Sequence, residues 1–344
     1  MHKRRAPHSA SASTSNPEEE KSSLLAVPEA STDALENLLD ATRVKCAAPF
    51  VAEDAANQQA LREIWDRSFP LETFALPSPL WKNIGFQGTD PGTDIRGAGL
   101  IGLHQAQAFF KLMPEGLLEE ANADADPTSA LPLALASINC SAMLLAHLQL
   151  APKLTIAFLP GGRSACSQET LHRFLSLAWE GEATAGMTSG SEEEMAARVT
   201  RLLRCLQALH ARLVIFLADL WKKMRRAHPR TNLMDFPKAL RATHAHMAKA
   251  LRSRDSKSLE SLVTALGEYD LSDAVLAAVQ DDRALDGSSP WLILTGGGVL
   301  ERTADALGWC LLRPAGALLS VSYDTIALVC CSFCGISERK DKVH

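Results

Sequence analysis

Aromatic residues are scarce in this 344-residue chain, at 6%, and only two of them are tyrosines. A core with so few rings must be aliphatic, and the dominance of alanine and leucine points to helices. A basic excess is missing as well. The formal net charge is -5, which excludes a general nucleic-acid binder, since such proteins offset phosphate charge with lysine and arginine. No alternation of apolar and polar residues at strand period is found before about residue 290. Hydrophobic residues make up 47% and charged ones 22%, the balance of a globular protein.

Paired metal-ligand spacing is also absent. The cysteines are Cys46, Cys140, Cys166, Cys205, Cys310, Cys330, Cys331 and Cys334. The first five are scattered, mostly within apolar runs, like reduced core thiols. Cys331-Ser-Phe-Cys334 has the C-x-x-C form, yet no second pair or spaced histidines accompany it, so no metal site is expected. His104 and His147 lack a second histidine at ligand spacing. His244 and His246, two apart, fall on different faces of one helix. Lys3, Arg4 and Arg5 open the chain without an apolar segment behind them, so a cytoplasmic protein without a secretory signal is expected.

What is present is helical periodicity. Residues 1–32, rich in Ser, Pro and Glu, are expected to be a disordered tail. Residues 33–253 then read as one helical domain and 254–344 as a partly helical extension. Thr32, with Leu35, Leu38 and Leu39, predicts a short capped helix. Another is expected from about Glu53 to Arg67, with Leu61, Ile64 and Trp65 on one face. Further helices are expected from Gly97–Gly99 to Pro114, over the apolar run Pro132–Leu150 (a buried central helix, with a pair of buried strands as its rival on periodicity alone), and over 168–180. Ser191-Glu-Glu-Glu194 opens a long helix to about Ala227, Asp235-Phe-Pro237 one through Leu251, and a last one spans Ser258–Ala278. The fold class is all-α.

The basic cluster Lys222, Lys223, Arg225, Arg226 and Arg230 reads as a solvated helix end, with a membrane-facing or partner-facing role as its functional alternative. Leu318–Ser337 is apolar except for Asp324. It is either a packed or disordered tail or a means of peripheral membrane association, with Cys330, Cys331 and Cys334 as acylation candidates.

The segment Trp81–Leu103 carries the candidate chemistry. Trp81, Ile84 and Phe86 lead into a stretch interrupted by Gly88, Pro91 and Gly92, whose turn-forming residues exclude regular structure. One cation, Arg96, then precedes Gly97, Gly99 and Gly102. Gly97-Ala-Gly99-Leu-Ile-Gly102 spells the dinucleotide motif G-x-G-x-x-G. That motif needs a buried strand before it, and Asp90-Pro-Gly-Thr-Asp-Ile-Arg96 is not one. Two readings of Arg96 remain. It is a structural surface residue pinned by Asp94, which local chemistry favours, or it is a cation presented to a partner, where a guanidinium stabilises charge in phosphoryl transfer.

Trp81–Leu103 closely resembles the signature of the ELMO domain, W-x-x-IGFQG-x-DP-x-TD-F-RG-x-G-x-x-GL. Leu61-Arg-Glu-Ile-Trp65, Ser137-Ile-Asn139, and Trp221 followed by Met234-Asp-Phe-Pro237 agree in order. The resemblance covers about residues 55–252. It implies an all-helical domain and, for a chain of this size, the compact kind that activates GTP hydrolysis by Arf and Arf-like GTPases. The arginine needed in that kind matches Arg96, with Gly97 and Gly99 beside it. Trp81, Gly85, Phe86, Gln87, Asp90, Pro91, Thr93 and Asp94 match as loop-supporting or partner-binding residues. Ile95 stands where phenylalanine is usual. No cofactor of its own is implied, because the GTPase brings GTP and Mg²⁺. The alternative is a non-catalytic module binding a small GTPase or a DOCK-like exchange factor.

Overall fold

A computed structural model describes residues 30–122, 129–152, 164–179 and 191–272, with a few isolated positions between 153 and 163. Among these residues all regular structure is helical. In chain order the helices are α1 (Thr32–Cys46), α2 (Ala55–Ser68), α3 (Gly92–Ile95), α4 (Gly99–Leu112), α5 (Leu117–Asn122), α6 (Leu133–His147), α7 (Gln168–Trp179), α8 (Glu192–Ala227), α9 (Phe236–Arg252) and α10 (Leu259–Gly267).

The centre of the bundle is α6, every residue of which is buried. A helix apolar on all sides has no face to give to water, and α4, α8 and α9 pack around it. The 36-residue α8 is the spine, about 54 Å long at helical rise. Its apolar positions recur at three and four residues, so one stripe faces α6, α9 and α10 while charge lines the other. Ser191 caps it by accepting the N–H of Glu194 at 3.1 Å, satisfying one of the unpaired first-turn donors.

Three local expectations change, one at the end of the described chain, where α10 stops at Gly267 and does not continue through residues 268–270. The cap of α1 is Ser31, whose hydroxyl accepts the Ala34 N–H, so Thr32 is already helical. The stretch before Arg96 is not free of regular structure, because a 3₁₀ helix spans Pro79–Ile84 and the single turn α3 spans Gly92–Ile95. Proline at the start of each sets φ for a helical turn and gives up no bonded N–H. The residue patterns at 1–29 and 273–344, including the C-x-x-C and the apolar tail, lie outside the described residues. No described helix is long and apolar enough to cross a membrane.

Three histidines are built into the interior. His210 of α8 is fully buried against the Ser137 carbonyl of α6 at 3.0 Å, and burial pushes its pKa down to about 4. His147 bonds the Ser164 carbonyl, and His244 meets the Ser164 hydroxyl at 2.8 Å. The rings of His147 and His244 lie 5.3 Å apart. His246, on another face of α9, stacks on Phe216 at 4.1 Å.

Candidate functional site around Arg96

A cluster of aromatic rings lies beneath this site. Trp65 of α2 meets Phe69, Phe74 and Trp81 edge to face, with centroids 5.0, 5.9 and 5.1 Å apart. Trp81 in turn meets Phe86 at 5.5 Å. Such pairs add about 0.5–1.5 kcal/mol each beyond area burial. The Trp81 indole N–H donates to the Ala75 carbonyl at 3.0 Å. Trp81 and Phe86 are wholly buried, so they support the segment from below and present nothing to a partner.

Gly85 then turns the chain with φ +97°, its Cα facing the backbone of Pro132 and Leu133. A Cβ there would stand 2.4 Å from the Pro132 carbonyl carbon. Glycine is required twice over, by conformation and by clearance. Beyond it, Ser78 N–H donates to the Thr89 carbonyl at 2.9 Å, which draws the two ends of the 78–89 stretch together.

Three ties fix the turn that ends in Arg96. The Asp90 carboxylate accepts the Gly92 N–H at 2.9 Å, and the Thr93 hydroxyl donates to the Asp90 carbonyl at 2.9 Å. The Asp94 carboxylate accepts the Gln87 N–H at 2.8 Å. Ile95 inserts into the core with no exposed surface; as the apolar residue at this position, it anchors the turn without a ring. Pro91 is buried at the start of α3, and Gln87, Thr93 and Asp94 are half-buried.

The far side of the turn leans on the segment after α1. The ring of Phe50 approaches Gly92 so closely that a Cβ would lie 2.9 Å from it. Gly99, at φ +66°, sits over the Ala48 carbonyl, which accepts the Leu100 N–H at 2.9 Å. Sequence reasoning did not find Phe50 or Ala48. Nothing in Ala47–Val51 marks it as a support, because the contact joins positions more than forty residues apart.

Arg96 ends α3, its own N–H bonded to the Gly92 carbonyl at 3.3 Å. The side chain is exposed. Among the described residues, no hydrogen bond or ion pair engages its guanidinium. The arrangement is a braced backbone carrying a planar cation that no described residue engages. Gln87, Asp90, Pro91, Thr93, Asp94, Gly97 and Gly99 gather around it, while Trp81, Gly85 and Phe86 form the layer below. No buried strand precedes the glycines; a 3₁₀ helix and α3 do, so they do not form a dinucleotide turn. Among the described residues no group of three or more His, Cys, Asp or Glu is placed to hold a metal ion.

Comparison with known proteins agrees with these features. ELMO domain-containing protein C of Dictyostelium discoideum is 33% identical over 92 residues, 26% of this chain and 14% of the relative. ELMO domain-containing protein B of the same organism is 26% identical over 133 residues, 38% of this chain and 46% of the relative. ELMO domain-containing protein 1 of Mus musculus is 39% identical over 64 residues, 18% and 19% of the two chains. Each of these alignments covers less than half of the relative's length. No solved structure matches significantly. The family model of the ELMO/CED-12 family matches residues 40–240, more than half of the chain, and the protein belongs to that family.

Proposed function

We propose that this protein activates GTP hydrolysis on an Arf-family small GTPase by inserting Arg96 in trans. The observation that carries this proposal is the state of Arg96, exposed and, among the described residues, without an ion-pair partner, on a turn locked by Asp94, Phe50 and Gly99. Membership in the ELMO/CED-12 family supports a GTPase-related interaction module. The match of Arg96-Gly97 to the arginine-glycine step of the compact members supports the catalytic form.

The chemistry is electrostatic. As the γ-phosphoryl group departs, negative charge builds on its oxygens and on the β-γ bridge. A guanidinium held there offers donors in a fixed fork and accelerates hydrolysis by about 10³ to 10⁵ in known cases. Freezing the backbone beforehand removes ordering that the encounter would otherwise require. The GTPase brings GTP, Mg²⁺ and the residue that orients water, so this chain needs no cofactor and acts in the cytoplasm beside its partner.

A panel of GTP-loaded Arf and Arf-like proteins, mixed with the full chain in single-turnover hydrolysis, tests the proposal. Acceleration of at least one member is expected. Binding without acceleration across the panel contradicts catalysis and favours a non-catalytic module that engages a small GTPase or a DOCK-like exchange factor.

A further inference from the structure

The turn between α8 and α9 concentrates positive charge on a protein that is acidic overall. Residues 220–234 contain five lysines and arginines and no carboxylate. The neighbouring acids are engaged elsewhere. Asp219 accepts the Tyr269 hydroxyl at 2.6 Å, and Glu120 pairs with Lys222 at 2.7 Å. Asp235 accepts the Asn232 N–H and pairs with Lys238 at 3.0 Å. Asp270, which is exposed, lies within electrostatic reach of Lys223. Arg226 and Arg230 remain exposed, and neither has an ion-pair partner among the described residues.

The same turn displays an apolar side chain. Leu233 and Phe236 go into the core, whereas Met234 between them is 62% exposed. It is not there through slack. Asn232 accepts the Met234 N–H at 2.9 Å within a capping box closed by Asp235, and Thr231 N–H bonds the His228 carbonyl. A turn held by its capping box, with its one carboxylate, Asp235, engaged by Asn232 and Lys238, thus presents a flexible thioether on the same segment as two exposed guanidinium groups. Cations attract a negatively charged lipid surface at long range, and an apolar tip enters the headgroup boundary.

We infer that the α8–α9 turn docks on an anionic phospholipid bilayer through Arg226, Arg230 and Met234. Glu120, on the helix that follows α4, reaches Lys222, whereas Arg96 stands before the other end of α4.

Co-sedimentation of the full chain with phosphatidylcholine vesicles, with and without phosphatidylserine, tests this. Binding is expected only with phosphatidylserine and should weaken as salt is raised. Arg226→Gln with Arg230→Gln should lower the affinity about 30-fold, near fivefold per charge removed. Met234→Ser should weaken binding while leaving its salt dependence unchanged, and both variants should melt like the wild type. Equal binding to neutral vesicles overturns the inference. So does unchanged binding by the double arginine variant, which would place attachment elsewhere, or a failure to bind either vesicle.

Discussion

Asp94 and Gln87 are joined across the base of the Arg96 turn, the Asp94 carboxylate accepting the Gln87 backbone N–H at 2.8 Å. An acid two residues from a lone arginine would ordinarily be read as its ion-pair partner. Here it braces the backbone that carries the arginine, and the guanidinium stays in solvent. Asp94→Ala should therefore reduce stimulated GTP hydrolysis on the order of 10- to 100-fold by letting the cation wander. The stability cost should be only about 1–2 kcal/mol. Single-turnover rates beside a urea unfolding curve separate the two effects.

Phe50 acts from the other side. Phe50→Ala removes the ring that meets Gly92 and, at a half-buried position, should cost about 1–3 kcal/mol. Its effect on GTPase binding should be smaller than its effect on the maximal hydrolysis rate. Titrating the variant against a fixed amount of GTP-loaded partner distinguishes rate from affinity.

Gly85 and Gly88 look alike in sequence and differ in structure. At Gly85 the φ is +97° and backbone stands 2.4 Å from a would-be Cβ, whereas at Gly88 the nearest atom lies at 3.8 Å. Gly85→Ala should destabilise by roughly 3 kcal/mol or more, or prevent folding. Gly88→Ala should stay within about 1 kcal/mol of wild type. Thermal melts of the two variants give the comparison.

Stability should fall in mild acid. Burial drives His210 and His244 down to about 4, the neighbouring His147 adding to the shift on His244, and burial also lowers His147. The unfolded chain takes up these protons near the ordinary value of about 6.5, while native His210 and His244 refuse theirs until about pH 4 and native His147 takes up its own below the ordinary value. Stability from these groups is therefore complete above about pH 7 and is lost as pH falls below 6.5, for His210 and His244 down to about 4 and on the order of 1–3 kcal/mol each, with His147 contributing in the same direction. Urea midpoints measured across that window should decline. A flat profile down to about pH 5 would show that the histidines are not buried neutral.

The long helices were legible because their signals repeat. Ser191 with the periodic leucines of α8 announces a start and a buried stripe, and the nearly continuous apolar run of α6 points to a central element, a helix by its length rather than its period. Four-residue α3 has too few positions to show a period, and Asp90-Pro-Gly-Thr has the composition of a turn, so its helicity was not visible. The buried arrangement of Trp81 and Phe86 could be anticipated from their size. The support from Phe50, the pairing of His147 with His244 and the interior place of His210 could not, since each depends on residues brought together from distant parts of the chain. The glycine motif was set aside in the sequence because no strand precedes it, and the 3₁₀ helix and α3 found before the glycines agree with that.

Arg96→Lys is the most direct test of the central proposal. Lysine keeps the charge and loses the planar fork, and the side chain is exposed, so the variant should melt like wild type and still bind its GTP-loaded Arf-family partner. Single-turnover hydrolysis with the variant should fall to the intrinsic rate of the GTPase alone. Stimulation by Arg96→Lys or Arg96→Ala equal to that of the wild-type chain would contradict the role given to Arg96.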